Sequence, residues 1–511
     1  MSTNTITPSP ADTPRAAGHG RWIDDWDPED PGFWETTGKR IARRNLVLSI
    51  LAEHLGFSVW VLWTVVVINL GNVGIKLSLG DQFLLTALPN LIGSLLRIPY
   101  TFAVPRFGGR AWTTFSASLL LLPCTLLAVV VPSGWLAAAG HSTQLWVLLA
   151  CAATAGVGGG NFSSSMANIS FFYPEARKGL ALGLNAAGGN LGVAVCQLVV
   201  PLAIIVGVPA AAVKLPSHHV HLAYAGLVWM PFVVAIALCA WLRMDSLTQA
   251  KTDTEPYLTA LRNRQTWVVS LLYVGTFGSF IGYSFALPIL IKNTFPSFLA
   301  HHGFIATYLA GLSFVGALAG SLARPLGGWL ADRLGGARVT LWCFGGLALA
   351  TAAAIDGVEI HSFALFFASF IVVFLCSGAG NGSTYRMIPS IYAALGRRAP
   401  GRGLDFKRQA AGAIGIAGAV GALGGFFIQV ALRQASLPVV TAMADATKHI
   451  RVKSELAPAL AKIAASHTTW SVPALWAFFA GYILLAGVTW FCYLRGSVLT
   501  RRFPSLAAEV I

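Results

Sequence analysis

Long apolar runs separated by short polar segments form the main pattern of this chain. Twelve runs are long enough to cross a bilayer as helices, since about 20 apolar residues span its hydrocarbon core. The predicted spans are, approximately, 46–70, 83–105, 111–132, 145–172, 179–207, 221–242, 266–291, 303–330, 339–356, 361–380, 409–432 and 471–494. The pattern therefore predicts an all-α membrane protein with twelve transmembrane helices and both termini on the same side.

A polar, basic segment divides these spans into two sets of six. The predicted organisation is, in chain order, a cytoplasmic N-terminal tail (1–45), a six-helix bundle (46–242), a cytoplasmic linker (243–265), a second six-helix bundle (266–494) and a cytoplasmic C-terminal tail (495–511). Residues 433–470 are expected to form a long external loop, with an amphipathic helix near 440–465 that acts as a cap or a lid. Residues 1–20 are expected to be disordered. Arg21–Arg44 is expected to lie along the membrane surface, with partner docking as the alternative.

The composition agrees with a membrane protein and sets its orientation. Hydrophobic residues make up 55% of the chain and charged residues 11%, whereas soluble proteins average about 25% charged residues. The net charge of +15 would suit a nucleic-acid binder, but the charges follow the positive-inside rule. With the N-terminus inside, most of the 35 lysines and arginines fall in cytoplasmic segments. We expect a multi-pass inner-membrane protein, monomeric, without nucleic-acid binding. The seven cysteines lack metal-site spacing, so no cofactor is predicted.

Two arginines cannot be assigned to loops or tails. Arg97 lies inside the second predicted span and Arg324 inside the eighth, and each is followed nine residues later by another arginine and then by a Gly-Gly pair. An arginine at bilayer depth costs roughly 3 kcal/mol or more and must face protein or water. The repeat predicts two halves built on one plan, with an anionic ligand shared between them. The alternative is that each arginine pairs with a carbonyl or a loop carboxylate.

A second repeat supports the two-halves plan. Gly160-Asn161 in the fourth span matches Gly380-Asn381 in the tenth, and each pair precedes a Ser/Thr-rich turn with a methionine. Repeats related by an axis along the membrane normal, with a midplane site, are a known transporter plan. This is the pattern of the major facilitator superfamily, and the segment from Gly328 to Arg338 resembles its loop motif. The copy at 105–110 lacks the acidic residue.

The fixed charges inside the spans favour a small planar anion. Guanidinium groups donate parallel hydrogen bonds through a rigid planar fork, which suits planar oxyanions such as nitrate and nitrite. Asn161, Asn190 and Asn381 are polar groups at membrane depth that need partners, and they could bind the substrate or orient the arginines. The glycines of these runs permit close helix packing or rocking. The ones we single out are Gly158, Gly159, Gly160, Gly188, Gly189 and Gly380.

A closer family resemblance follows from four stretches of sequence. Residues 156–192, which begin GVGGGNFSSS, look like the nitrate signature of the nitrate/nitrite porter family, and 377–392 is similar to its second signature. The stretches 86–110 and 273–285 also resemble that family, and the likeness covers nearly all of 21–432. The resemblance implies transport of nitrate or nitrite by alternating access. The substrate-site residues that it implies are Arg97, Arg324, Phe162, Phe57, Phe277, Tyr273 and Asn190.

The coupling of transport to an energy source is left open by the sequence. Nitrate import against a negative-inside potential is uphill by about 2.3 kcal/mol per 100 mV. Nitrate/nitrite exchange would remove this cost, and symport with more than one proton would overcome it. We predict Glu53 and His54, adjacent in the first span, as candidates for carrying protons, with a structural pair as the alternative.

Two rival functions remain at this stage. One is a major facilitator transporter of another small anion or of drugs. The other is a membrane sensor or enzyme, which is disfavoured because no nucleotide loop, metal cluster or nucleophile–base set is present in the sequence.

Overall fold

The computed structural model describes residues 16–17, 21–206, 220–250, 255–308, 312–399, 403–450 and 453–495. The helices up to the central linker are α1 Pro31–Phe33, α2 Lys39–Trp60, α3 Trp63–Asn69, α4 Leu79–Thr101, α5 Ala103–Phe107, α6 Gly109–Leu119, α7 Leu121–Val130, α8 Gly134–Ala138, α9 His141–Phe172, α10 Glu175–Val206, α11 Tyr224–Leu227 and α12 Met230–Arg243. The later helices are α13 Glu255–Arg262, α14 Arg264–Thr294, α15 Pro296–His301, α16 Gly303–Tyr308, α17 Ser313–Leu334, α18 Gly336–Glu359, α19 Phe363–Arg398, α20 Gly403–His449, α21 Lys453–Ser466 and α22 Val472–Thr489.

The predicted fold class is confirmed, because the described chain is a bundle of long helices. Eleven helical stretches among the described residues are long and apolar enough to cross a membrane. Helix α17, which corresponds to the eighth predicted span, packs among them against α19 and α10. It falls outside the eleven because Arg324, Asp332 and Arg333 lower its hydropathy. The predicted span 303–330 is divided, since α16 and α17 occupy it as separate helices.

Helix pairing is the same in the two parts of the chain. In the first part α4 packs on α9, α2 on α10 and α6 on α12. In the second part the equivalent helices pair in the same way: α17 on α19, α14 on α20 and α18 on α22. Contacts between the two parts run chiefly through α4 with α20 and α10 with α17. Both arginine-bearing helices, α4 and α17, therefore lie at the boundary between the parts.

The backbone repeats as well at the Gly-Gly pairs. Gly108 has a φ of 81° and Gly335 a φ of 90°, which is the left-handed region that favours glycine. Each of these glycines precedes the first residue of the next helix, α6 or α18. A side chain at Gly108 would also collide with Trp22 and Ser246. The glycines thus allow the same sharp turn eleven residues after each buried arginine.

The segment from 433 to 470 is largely helical rather than an extended loop. Helix α20 continues without interruption to His449, and α21 follows from Lys453 to Ser466. The residues after 432 carry alanines and few helix breakers, so the helix extends past the apolar span. The helix expected near 440–465 therefore falls in two helices, α20 and α21, and residues 451–452 lie outside the described residues. Helix α18 likewise extends past its predicted span, to Glu359, and Asp356 near its end is exposed.

The N-terminal tail packs on protein. Trp26 and Trp34 are buried, and Trp26 meets Phe172 of α9 edge to face at 5.4 Å. Strand β2 (Trp22–Ile23) pairs in parallel with strand β3 (Ser246–Leu247) of the linker and antiparallel with β1 (Ala16–Ala17). Apart from Ala16 and Ala17, the stretch 1–20, expected to be disordered, lies outside the described residues. Trp26 and Trp34 thus lie against an apolar protein surface, and the expected position of Arg21–Arg44 along the membrane surface stays a prediction.

Candidate substrate site

Arg97 is completely buried in α4, and its hydrogen bonds reach both parts of the bundle. Its Nε donates to the carbonyl of Gly159 at 3.0 Å, and its Nη1 donates to the carbonyl of Gly418 in α20 at 2.7 Å. Its Nη2 has no hydrogen-bond partner in the described chain. The alternative of carbonyl pairing therefore accounts for two of the three nitrogens and leaves one buried donor for a ligand.

Arg324 is buried in α17 and also bridges the two parts of the bundle. Its Nη1 donates to Oδ1 of Asn190 in α10 at 3.3 Å, and its Nη2 donates to the Tyr273 hydroxyl at 3.4 Å. Both contacts are long for charge-assisted hydrogen bonds, which are usually 2.7–2.9 Å. The guanidinium is thus surrounded by neutral groups, and its charge is not matched by a direct carboxylate partner in the described chain.

Phe162 brings the two arginines together. The Cζ atoms of Arg97 and Arg324 lie 4.6 and 5.5 Å from the centre of its ring. Phe277 stacks on Phe162 with centroids 6.1 Å apart, and Arg97 lies 4.9 Å from the centre of that second ring. Aromatic faces attract cations, so these rings hold both guanidinium groups without neutralising them. Phe57 is one layer further out, edge to face with Phe162 at 6.2 Å.

The three predicted asparagines have different surroundings. Asn190 uses its Oδ1 for Arg324 and keeps its Nδ2 unpaired, while Asn381 is fully buried with neither side-chain atom hydrogen-bonded to a described residue. Asn161 is already engaged, because its Oδ1 accepts from Ser116 at 3.0 Å and its Nδ2 donates to Glu53 at 3.3 Å. Unpaired buried polar groups are costly, so Asn190 and Asn381 are the ones suited to a ligand.

The structure adds site residues that the sequence did not single out. The Tyr385 hydroxyl is buried and unpaired among the described residues, and its ring lies 5.8 Å from Cζ of Arg324. Tyr385 is four residues after Asn381 on the same helix, so helical spacing could have identified it. Trp60 also lies near the site, with Arg97 5.5 Å from its ring. The Gly418 carbonyl has no sequence signature, since every residue carries one.

Comparison with known proteins identifies relatives of this chain. The model of the Major Facilitator Superfamily matches residues 45–428. The nitrate/nitrite transporter NarU of Escherichia coli is 39% identical over 424 residues, covering 79% of this chain and 87% of the relative. A probable nitrate/nitrite antiporter of Thermus thermophilus, NarK2, is 36% identical over 420 residues, covering 80% and 88%. The chain belongs to the nitrate/nitrite porter family of the major facilitator superfamily. The relatives are thus named as transporters, and not as enzymes.

Solved structures confirm the superfamily fold. The xylose transporter XylE from Escherichia coli, in a partially occluded inward-open conformation, is similar with a TM-score of 0.58, covering 88% of this chain and 99% of that one. Its sequence identity is 12%, so this likeness concerns the fold alone. The helix pairing described above is therefore that of a major facilitator transporter, and the chain is a multi-pass membrane protein.

Glu53 and His54 of this porter-family chain do not act on each other in the structure. Glu53 is completely buried; its Oε2 accepts from Asn161, and its Oε1 has no partner in the described residues. His54 donates from Nδ1 to the carbonyl of Gly188 at 3.1 Å. Of the charged residues that the structure describes, only Glu53, Arg97, Arg324 and Asp245 are buried. Asp245 accepts from Arg44 and Asn45 beside the tail, so Glu53 is the one carboxylate buried with the two site arginines.

The predicted glycines lie where porter helices approach closely. Each would place a Cβ within 3 Å of a neighbouring atom: Gly158 against Gly56, Gly159 against Trp60, Gly160 against Leu96, Gly188 against Ile50, Gly189 against Glu53 and Gly380 against Thr276. A side chain at these positions would force the helices apart or displace residues of the site. The positions therefore have a close-packing role in this state, whatever they contribute to motion.

A cavity leads from the site toward one end of the bundle. A cavity of about 160 Å³ runs from Phe162 and Tyr385 past Thr101 to Glu175 and Lys178, at the end that carries the N-terminal tail. At the other end, hydrogen bonds between the two parts close the bundle. Those across the boundary are Thr86 to Gln429 at 3.0 Å, Gln197 to the carbonyl of Ser284 at 2.6 Å, and Lys292 to the carbonyl of Ile68. In the part of the chain that the structure describes, the bundle is therefore open at the tail side and closed by hydrogen bonds at the other end.

Proposed function

We propose that this protein transports nitrate and nitrite by alternating access, with the planar oxyanion held between Arg97 and Arg324. The observation that carries the proposal is the shared ring of Phe162. The Cζ atoms of two arginines, one from each part of the bundle, lie 4.6 and 5.5 Å from the centre of this ring. The names of the relatives, NarU and NarK2, support nitrate and nitrite as the substrates. The anion would accept from Arg97 Nη2, Asn190 Nδ2 and the Tyr385 hydroxyl, which have no partner among the described residues.

Charge balance supports proton coupling through Glu53. The two arginines and an ionised Glu53 together carry one net positive charge, so the empty site keeps an internal counter-ion. When a proton binds to Glu53 and a nitrate binds to the arginines, the site again carries one net positive charge. The site therefore has the same net charge in its loaded and empty forms when the carrier changes conformation. This avoids a large difference in electrostatic free energy between the two forms in the low-dielectric interior. A carrier of this kind can return empty, as net uptake requires.

Protons and anions would thus move together, with exchange as a second mode of the same site. One proton carried with one nitrate moves no net charge, so the pH gradient drives uptake without opposition from the membrane potential. Nitrite has the same charge and planar shape, and it can replace nitrate at the same arginines. The charged groups around Glu53 are Arg97 and Arg324, with His54 directed to the Gly188 carbonyl.

The orientation follows from the distribution of basic residues. We place both termini in the cytoplasm, since most of the 35 lysines and arginines flank the spans on that side. The open cavity then faces the cytoplasm, and the membrane that we propose is a bacterial inner membrane, because relatives such as NarU come from bacteria. The transporting unit is a monomer, because one chain supplies both halves of the site.

Counterflow in proteoliposomes tests the function and its chemistry together. Nitrite or nitrate inside the vesicles should accelerate uptake of labelled nitrate, whereas sulfate or benzoate inside the vesicles should not. Arg97→Lys keeps the charge but loses the fork, so we expect roughly 10- to 100-fold slower counterflow, as the loss of a charged hydrogen bond implies. Arg106→Lys is the matched control and should transport normally. Arg106 is an exposed arginine in α5, nine residues after Arg97.

The outcomes separate the rival substrates. If sulfate or benzoate loading matched nitrite loading, the protein would be a transporter of other anions. If Arg97→Lys transported at the rate of the control, the clamp of two guanidinium groups would be wrong even if nitrate were the substrate.

A further inference from the structure

A basic groove lies on the outer surface of the bundle, away from the substrate site. It has a volume of about 790 Å³ and runs between the first turns of α2 and the end of α12. Its residues are Glu35, Lys39, Arg40, Arg43, Arg44, Val47, Leu48, Cys239, Leu242 and Arg243. Five cationic side chains face one carboxylate, so the groove has a strong excess of positive charge.

Part of this charge is already neutralised, and part is not. Lys39 pairs with Glu35 at 3.2 Å, and Arg44 pairs with Asp245. Arg40, Arg43 and Arg243 are exposed, and the ion pairs seen in the described chain do not include them. Three guanidinium groups from two helices therefore line one groove without a carboxylate of their own.

The position of these arginines on α2 is unfavourable for the isolated protein. Lys39, Arg40, Arg43 and Arg44 occupy the first turns of α2. Like charges three and four residues apart repel each other on a helix surface. An anion bound in the groove would relieve this repulsion. The positive-inside rule explains basic residues at this end of the molecule, but it does not explain their convergence on one cavity from two helices.

The other lining of the groove is apolar and faces outward. Val47 is 47% exposed and Leu242 58% exposed, on the side walls of helices that cross the membrane. These residues lie just beyond the arginines along α2 and α12, where the acyl chains of a lipid would lie. A soluble anion would use the arginines alone, whereas a phospholipid would use both parts of the lining.

We propose that this groove binds an anionic glycerophospholipid. Its phosphate is held by Arg40, Arg43 and Arg243, and its acyl chains lie along Val47 and Leu242. The orientation given above puts this site in the cytoplasmic leaflet. The proposal does not depend on which anion the porter transports.

Native mass spectrometry of the purified full chain tests the site. The protein is mixed with equal amounts of phosphatidylglycerol and phosphatidylcholine that carry the same acyl chains. We expect retention of phosphatidylglycerol to exceed that of phosphatidylcholine by at least about fivefold, as one or more arginine contacts at a membrane surface imply. In R40Q/R43Q/R243Q this preference should disappear, while R262Q/R264Q/R397Q, which removes three exposed arginines elsewhere at the same end, should keep it.

Two results would overturn the proposal. The first is equal retention of the two lipids by the unchanged protein, or the same preference in both triple variants. The second is displacement of the bound lipid by millimolar inorganic phosphate, which would show that the arginines recognise free phosphate rather than the lipid. A folded state is checked by the melting temperature, and R40Q/R243Q replaces the triple variant if that temperature falls.

Discussion

The two site arginines differ in how much of their hydrogen-bonding capacity is already used. Arg97 is fixed by two carbonyls and stacks near three aromatic rings, whereas Arg324 makes two long contacts to neutral side chains. Arg97 is therefore the more rigid of the two, and Arg324 has more freedom to move onto an anion. We infer that Arg97 sets the position of the substrate and that Arg324 closes on it.

The Tyr385 hydroxyl allows the site to be tested by the removal of a single oxygen atom. Tyr385→Phe removes one buried, unpaired oxygen beside Arg324 and keeps the ring. Because a hydrogen bond to a charged group contributes about 1.5–3 kcal/mol, nitrate affinity should fall roughly 10- to 100-fold. Stability without nitrate should be unchanged or slightly raised. Both quantities can be read from thermal shift titrations with nitrate.

The matched control is Tyr482→Phe. The Tyr482 hydroxyl is also buried, but it is hydrogen-bonded to Ser279 and Tyr283 on the far side of the second part of the bundle. Its loss should lower the melting temperature and leave nitrate affinity alone. The opposite pattern in the two variants would remove Tyr385 from the substrate site.

At the scale of elements, the N-terminal tail lies across the tail-side ends of the helices in the first part of the bundle, and we call it the strap. It contacts the turn at Gly108 through Trp22, the end of α9 through Trp26, and the linker through β3. The Glu29 side chain also accepts from the backbone N–H of Glu175 at the start of α10. The loop motif at 105–110 lacks the acid present at Asp332 in the second part, where that acid pairs with Arg386. The strap thus occupies the region where this ion pair is missing.

Trp26 is the residue on which the strap depends most. It is 2% exposed and packs edge to face on Phe33 and Phe172. Trp26→Ala should destabilise the protein by about 3–5 kcal/mol, as buried Trp-to-Ala changes do, and should lower the melting temperature. Trp135→Ala removes a tryptophan that is 57% exposed and should have little effect. Equal effects of the two changes would contradict a buried role for Trp26.

The sequence predicted the helical architecture well because hydropathy and the arginine repeat are direct signals of it. Arg97, Arg324, Phe162 and Tyr273 meet at one place, as the family resemblance implied. The packing of the tail on α9 was not predicted, because its tryptophans suit a membrane interface as well as a protein surface and sequence alone does not distinguish the two. Carbonyl pairing of Arg97 was an open alternative, but the sequence could not identify the carbonyls of Gly159 and Gly418, because any residue can supply one.

At the scale of the whole molecule, we propose that Glu53 decides between proton-coupled uptake and exchange. Glu53→Gln fixes the residue in a neutral, proton-like form, so the empty site gains a second net positive charge. The empty carrier should then change conformation poorly from one side of the membrane to the other, while nitrate-for-nitrate exchange continues. We expect counterflow close to normal, and uptake driven by an inward pH gradient reduced at least about tenfold, as an electrostatic cost of 1.4 kcal/mol or more implies.

His54→Gln is the control for that experiment. His54 is the neighbouring titratable residue, but it donates to the Gly188 carbonyl, and glutamine can donate there as well. Its substitution should leave both assays unchanged. Uptake driven by a pH gradient that persists in Glu53→Gln would exclude Glu53 as the coupling residue, and its loss in His54→Gln would point to the histidine instead.

The hydrogen bond from Arg97 to the Gly418 carbonyl has a consequence for the turnover of the protein. An anion that accepts from the unpaired Nη2 shares the guanidinium with a backbone oxygen that already accepts from Nη1 at 2.7 Å. When the anion leaves, that oxygen still holds the guanidinium in position. In the proposed cycle, the carbonyl dipole offsets part of the positive charge, so the anion binds less tightly and is released faster, and a carrier that releases its substrate in every cycle benefits from faster release.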